Sequence, residues 1–135
     1  IIGHVGDSRA YILDSGRLLQ LTKDHSLVQK LHDLGEITNA GIENHPRRNI
    51  LLRAVGQSDI LDIDVSDYCV ESGSVFLLCS DGLWGCLEEE EMARIISNTP
   101  DLQDACETLT REANKTGGLD NITSLIVKYG YENNK

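Results

Sequence analysis

Five consecutive apolar residues, Val75 to Cys79, stop abruptly at Ser80-Asp81-Gly82. A run this apolar reads as a strand buried on both faces, since neither face offers water a polar side chain. A buried strand needs covering layers, so the chain must be a layered globular domain. A second run, Ile122 to Val127, makes the same demand near the other end.

The segments between them fit a mixed architecture. HVGDSRAYIL reads as strand, tight turn, strand, with Gly6-Asp7-Ser8 as the turn, and Gly16 allows another turn before RLLQLT. GDSRAYIL and GRLLQL together look like a hairpin. Leu27, Val28, Leu31 and Leu34 follow helical spacing, with Asp24 or Ser26 able to cap the start and Gly35 to end it. Residues 36–57 read as a loop-rich insertion with at most a short helix. ILDIDVSDYCV alternates as a half-buried strand. EEEEMARIIS and LQDACETLTREAN are amphipathic helices; Glu88 to Glu91 and Asp101 suit positive helix ends, and Gly117-Gly118 break the second. ITSLIVKY is the last strand. Neighbouring strands joined by short turns favour an antiparallel α+β fold.

The chain has 135 residues, enough for one domain with a real core. It lacks an initiator Met and opens on Ile1-Ile2, which reads as strand interior, so a piece of a longer protein is expected. The net charge of −10 repels phosphates, which argues against nucleic acid and suits a cation or basic partner. No apolar stretch approaches the ~20 residues of a membrane span, and no signal-peptide pattern occurs. Cys69, Cys79, Cys86 and Cys106 form no C-x-x-C pair, and read as free, mostly buried thiols of a reducing cytoplasm.

Asp81 follows one apolar strand, Asp120 precedes the other, and Asp7 sits in the turn G-D-S. Each lies beside or near glycine at a strand mouth. Such residues are ordinary in turns. Carboxylates gathered at strand ends also repel one another unless a cation lies between them, and hard ions such as Mg²⁺ or Mn²⁺ take oxygen ligands. Both readings stand on chemistry alone.

VGDSRAY (5–11), LTKDHSL (21–27), NHPRRNILLRAVG (44–56), LLCSDGLW (77–84) and GGLDNITSLIV (117–127) occur in one order. The set resembles the metal-dependent type 2C protein serine/threonine phosphatases in their bacterial form, from Val5 to Val127. The resemblance implies the C-terminal part of an α/β/β/α sandwich, with two stacked, mainly antiparallel sheets flanked by helices. It implies that residues 1–135 are a single partial domain, the C-terminal half of the catalytic domain, with a flap around 32–57. It assigns Asp81 and Asp120 to a two-metal centre holding Mn²⁺ or Mg²⁺, and Asp7 to a third, weaker site that shares Asp81. The metals of such enzymes activate a water that attacks phosphoserine or phosphothreonine in proteins, which include targets of serine/threonine kinases.

The family's glycine-rich acid motif, phosphate-binding arginine and proposed acid histidine have no counterpart here. No catalytic side chain is therefore assigned beyond the metal ligands, and the chain alone is expected to be inactive until its N-terminal half completes it. Arg47, Arg48 and Arg53 fall in the flap. His25 reads as structural or capping, Arg9 as an ion-pair partner of Asp7, and Trp84 as packing beside the metal loop. A non-catalytic phosphatase-like module that binds a partner is the competing function, although one released from catalysis need not keep all three acids. A calcium-binding domain would need a contiguous ligand loop, which is absent.

Overall fold

The computed structural model describes residues 1–57, 59–118 and 120–130, with Glu43 described only in its backbone. The expected GGLDNITSLIV segment thus has one residue, Leu119, outside the described residues. The chain forms two compact units, residues 1–8 with 23–68, and residues 9–22 with 69 onward.

In the first unit, β1 (Ile2–His4) pairs antiparallel with β4 (Asp64–Ser66), setting His4 opposite Asp64. Between them lie α1 (Leu27–Asp33) and α2 (Asn39–Glu43). Ser26 caps α1 as the sequence predicts, its hydroxyl accepting from Gln29 N at 3.2 Å. Gly35, at φ 74°, follows the helix in the left-handed conformation.

The second unit holds a four-stranded antiparallel sheet in the order β3-β2-β5-β6, built from β2 (Arg9–Asp14), β3 (Arg17–Gln20), β5 (Val75–Cys79) and β6 (Ser124–Lys128). The expected β2–β3 hairpin is present. Its two-residue turn places Ser15 at φ 49° and Gly16 at φ 78°, the positive values that match strand twist. The helices are α3 (Asp81–Trp84), α4 (Glu89–Asn98) and α5 (Leu102–Lys115). α4 packs on β3 and α5 on β6.

The core of this unit follows from sequence periodicity. Met92, Ala93, Ile95 and Ile96 make one stripe of α4, and Ala105, Leu109 and Ala113 make one of α5. They meet Tyr11, Leu77 and Ile126, which sit opposite one another across three strands. Tyr11, Leu77, Leu83, Met92 and Leu109 are fully buried, each large apolar side chain contributing about 1.5–3 kcal/mol. Asp101 caps α5 by accepting from Gln103 N at 2.8 Å and Asp104 N at 3.0 Å.

The expected strand–turn–strand over HVGDSRAYIL is present as β1, Gly6-Asp7-Ser8 and β2, the two strands belonging to different sheets. Two expectations are corrected. Residues 60–70 give only the three-residue β4, because β1 offers three partners, and Val65 on it is 66% exposed. β5 is buried on one face only. Leu77 is fully buried, whereas Leu78 is 40% exposed.

Candidate metal centre

Asp81 and Asp120 lie at the same end of two paired strands. The last β5–β6 pair is Cys79 with Ser124. Beyond it the ladder continues through Ser80, whose N–H donates to the Thr123 carbonyl at 3.1 Å. The Ser80 hydroxyl then bridges the opposite loop: it donates to the Asn121 carbonyl at 3.0 Å and accepts from Thr123 N at 3.1 Å. One side chain thereby fastens the residue before Asp81 to the residue after Asp120.

Asp81 opens α3, a single turn absent from the sequence reading. Its Oδ1 accepts from Gly82 N at 2.9 Å. Leu83, fully buried, anchors that turn from below. Gly82 is also buried, and a Cβ there would overlap the carbonyl of Asn121. Asp120 makes the matching local bond, its Oδ1 accepting from Asn121 N at 2.7 Å. Gly118, upstream of it, has φ 52° and faces Asn114 at the end of α5, so a side chain there would meet both strain and contact.

Trp84 closes the α3 turn and carries the Arg9 guanidinium over its ring, 3.6 Å from the centroid. Arg9 also donates to the Tyr11 hydroxyl at 3.2 Å. Burial nonetheless drives the Tyr11 phenol well above its ordinary value, with Arg9 opposing it.

Asp7 lies in the first unit. Gly6, at φ 102°, precedes it. His25 grips Gly6 twice: its backbone N–H donates to the Gly6 carbonyl at 2.8 Å, and Nδ1 accepts from Gly6 N at 3.2 Å. The other ring nitrogen, Nε2, faces Asp64 Oδ2 at 3.0 Å and Arg53 Nη1 at 3.3 Å. Arg53 reaches Asp64 Oδ1 at 2.8 Å. The hydrogen bond from His25, then that from Arg53, hold the Asp64 carboxyl below its usual value. His25 is thus structural, as its sequence context suggests, and fixes the turn that carries Asp7.

Asp81 and Asp120 each keep an oxygen not engaged by the adjacent N–H, and neither pairs with a cation among the described residues. Two hard oxygen donors at adjoining strand ends suit Mg²⁺ or Mn²⁺, ions that retain waters. Among the described residues no three His, Cys, Asp or Glu side chains form a cluster able to hold an ion, so the donors present fit a part of a centre. The sequence singled out the acids but not Ser80, whose only signal was a hydroxyl residue between strand end and acid. All four cysteines are free, Cys79 buried and Cys69 exposed. No helix among the described residues is long and apolar enough to cross a membrane.

No family model matches the chain. It is 43% identical over 128 residues to the serine/threonine phosphatase Stp of Listeria welshimeri, covering 95% of this chain and 51% of that protein. It is 41% identical over 132 residues to the protein phosphatase PhpP of Streptococcus pneumoniae, covering 98% and 54%. The structure of the Streptococcus agalactiae serine/threonine phosphatase superposes with a TM-score of 0.88 at 36% identity, over 96% of this chain and 53% of that one. The catalytic domain of the phosphatase PstP in complex with two manganese ions superposes at 0.77 with 31% identity, over 93% and 51%. The chain spans about half the length of the curated relatives it matches. By sequence along nearly its whole length, and by fold, it belongs to the bacterial type 2C serine/threonine phosphatases.

Proposed function

We propose that this chain is the C-terminal half of a phosphatase domain that hydrolyses phosphoserine and phosphothreonine in cytoplasmic proteins, once its N-terminal half completes the site. The observation that carries this reading is the pair of carboxylates, Asp81 and Asp120, fastened at adjoining ends of β5 and β6 without a cationic partner among the described residues. The relative solved with two manganese ions supports a divalent cation, Mn²⁺ or Mg²⁺, at these carboxylates. Two such ions would lower the pKa of a water between them and neutralise charge on the phosphoryl oxygens.

The chain's own residues supply the rest. Asp81 and Asp120 bind and orient through their open oxygens. The turn carrying Asp7, gripped by His25, offers a further carboxylate for a weaker site. The loops around Arg47, Arg48 and Arg53 would act as a flap beside the substrate, which a kinase has phosphorylated. No side chain here is assigned a proton-transfer step.

The test uses full-length protein containing this sequence, with a phosphothreonine peptide as substrate. Phosphate release that needs Mn²⁺ or Mg²⁺ and stops with EDTA is expected. Release insensitive to EDTA, or none at all with either ion, overturns the reading. The second outcome would leave a phosphatase-like binding module.

A further inference from the structure

We infer that Ser80 is a positioning residue for the metal centre, setting the separation between Asp81 and Asp120 through its hydroxyl. The inference rests on the metal-centre reading above and extends it to a residue with no ligand role of its own.

The geometry is specific to the hydroxyl. β5 and β6 are paired as far as Cys79 and Ser124. The two acids lie beyond that ladder, where no regular pairing fixes their distance. Ser80 crosses the gap, its hydroxyl donating to the Asn121 carbonyl and accepting from Thr123 N, partners 41 and 43 residues away in sequence. Both lone-pair and proton capacity of the hydroxyl are used, so its orientation is fixed. Asp81 and Gly82 follow directly, and Gly82 packs against the same Asn121 carbonyl. Asn121 N in turn holds the Asp120 carboxylate at 2.7 Å. Ser80 is thus the neighbour of Asp81 in sequence and is hydrogen-bonded to Asn121, the neighbour of Asp120 whose N–H holds that carboxylate. Carboxylates that are to share an ion repel one another until it binds. An unfastened pair of loops would relax apart before a metal arrives, and binding would then have to draw them together. Groups that hold ligands in this way commonly set metal affinity by 10–100-fold without touching the ion.

No other side chain among the described residues is seen to make these two bonds. The Thr123 side chain makes neither bond, since only its backbone takes part. An alanine at 80 keeps the backbone bond to Thr123 and loses both hydroxyl bonds.

The experiment compares full-length Ser80→Ala, Ser80→Thr, Ser80→Cys and Asp81→Ala proteins by calorimetric titration with Mn²⁺, and by the Mn²⁺ dependence of turnover. Ser80→Ala is expected to weaken Mn²⁺ binding about ten-fold, with KM for substrate within about two-fold at saturating Mn²⁺ and thermal unfolding in EDTA close to wild type. Ser80→Thr, which retains the hydroxyl, should restore affinity, and Ser80→Cys should fall between. Should Ser80→Ala fail to fold, the order of Thr above Cys in Mn²⁺ affinity carries the test. Wild-type affinity in Ser80→Ala, or in Ser80→Cys if that variant alone is soluble, overturns the inference. If Asp81→Ala also binds Mn²⁺ as wild type does, the metal-centre reading itself fails.

Discussion

Gly82 lies so close to the carbonyl of Asn121 that no Cβ can fit between them. The contact joins the loop bearing Asp81 to the loop bearing Asp120. Backbone occupies the far side of the gap, so it cannot rotate away as a flexible side chain would. Gly82→Ala in the full-length protein should therefore cost about 1–3 kcal/mol of stability. Displacing Asp81 by an ångström should also lower Mn²⁺-dependent turnover by about 10²-fold. Thermal unfolding and steady-state kinetics check both; a Gly82→Ala protein with wild-type melting and rate would show the contact to be slack.

Removing a carboxylate is a sharper change than displacing it. Asp81→Ala and Asp120→Ala, each in the full-length protein, should abolish phosphatase activity and the tight component of Mn²⁺ binding. Asp7→Ala should weaken a further site and reduce turnover while retaining that component. Calorimetry distinguishes the two patterns. Full activity in Asp81→Ala would remove Asp81 from the centre.

The His4 ring lies 4.8 Å from that of His25, and both of its nitrogens are sealed from solvent. Burial first, and the neighbouring His25 second, lower its pKa from 6.5, with the Ser8 backbone, Asp24 and Asp64 opposing. Above that ordinary value His4 is neutral both folded and unfolded. Below it the unfolded chain takes up the proton first, so stability falls as pH drops from 6.5 through the lower folded value. Urea midpoints measured from pH 7.5 to 5 on wild type and His4→Phe should diverge in slope, the variant losing less. Parallel slopes would refute the assignment to His4.

These residues show what a sequence can and cannot display. α5 was legible because its determinants are local: Asp101 caps it, and Ala105, Leu109 and Ala113 repeat every fourth residue. The β2–β3 hairpin was legible from Gly16. Asp81 and Asp120 stood out because acids ending apolar strands are unusual. The pairing of β1 with β4 was not legible, since its partners lie some sixty residues apart and alternation around Val65 marks a strand without naming its partner. Nor was the Ser80 clasp, whose partners are a carbonyl and an N–H of the main chain. Every residue but proline carries both, so position in the fold, and not side-chain identity, selects them. Only the resemblance to a family linked Asp7 with Asp81 and Asp120; spacing alone did not.

The last prediction concerns the face of the second-unit sheet turned away from its helices. Tyr11, Leu77 and Ile126 point to the helical side. Alternation sends Leu19, Leu78, Leu125 and Val127 to the other, where they are 49%, 40%, 54% and 45% exposed. β6 is also an end strand of the sheet, with one edge unpaired among the described residues. An apolar face beside an open edge invites association. The 135-residue chain, purified alone, should hydrolyse p-nitrophenyl phosphate no faster than Mn²⁺ itself, and should form dimers or larger species. Leu125→Glu with Val127→Glu on that face should shift it towards monomer, and an added N-terminal half should do the same by forming a one-to-one complex. Light scattering reads the mass, and amide exchange across residues 75–79 and 124–128 reads the protection. A wild-type monomer, strongly protected in both strands and unable to bind the other half, would show that the face needs no cover.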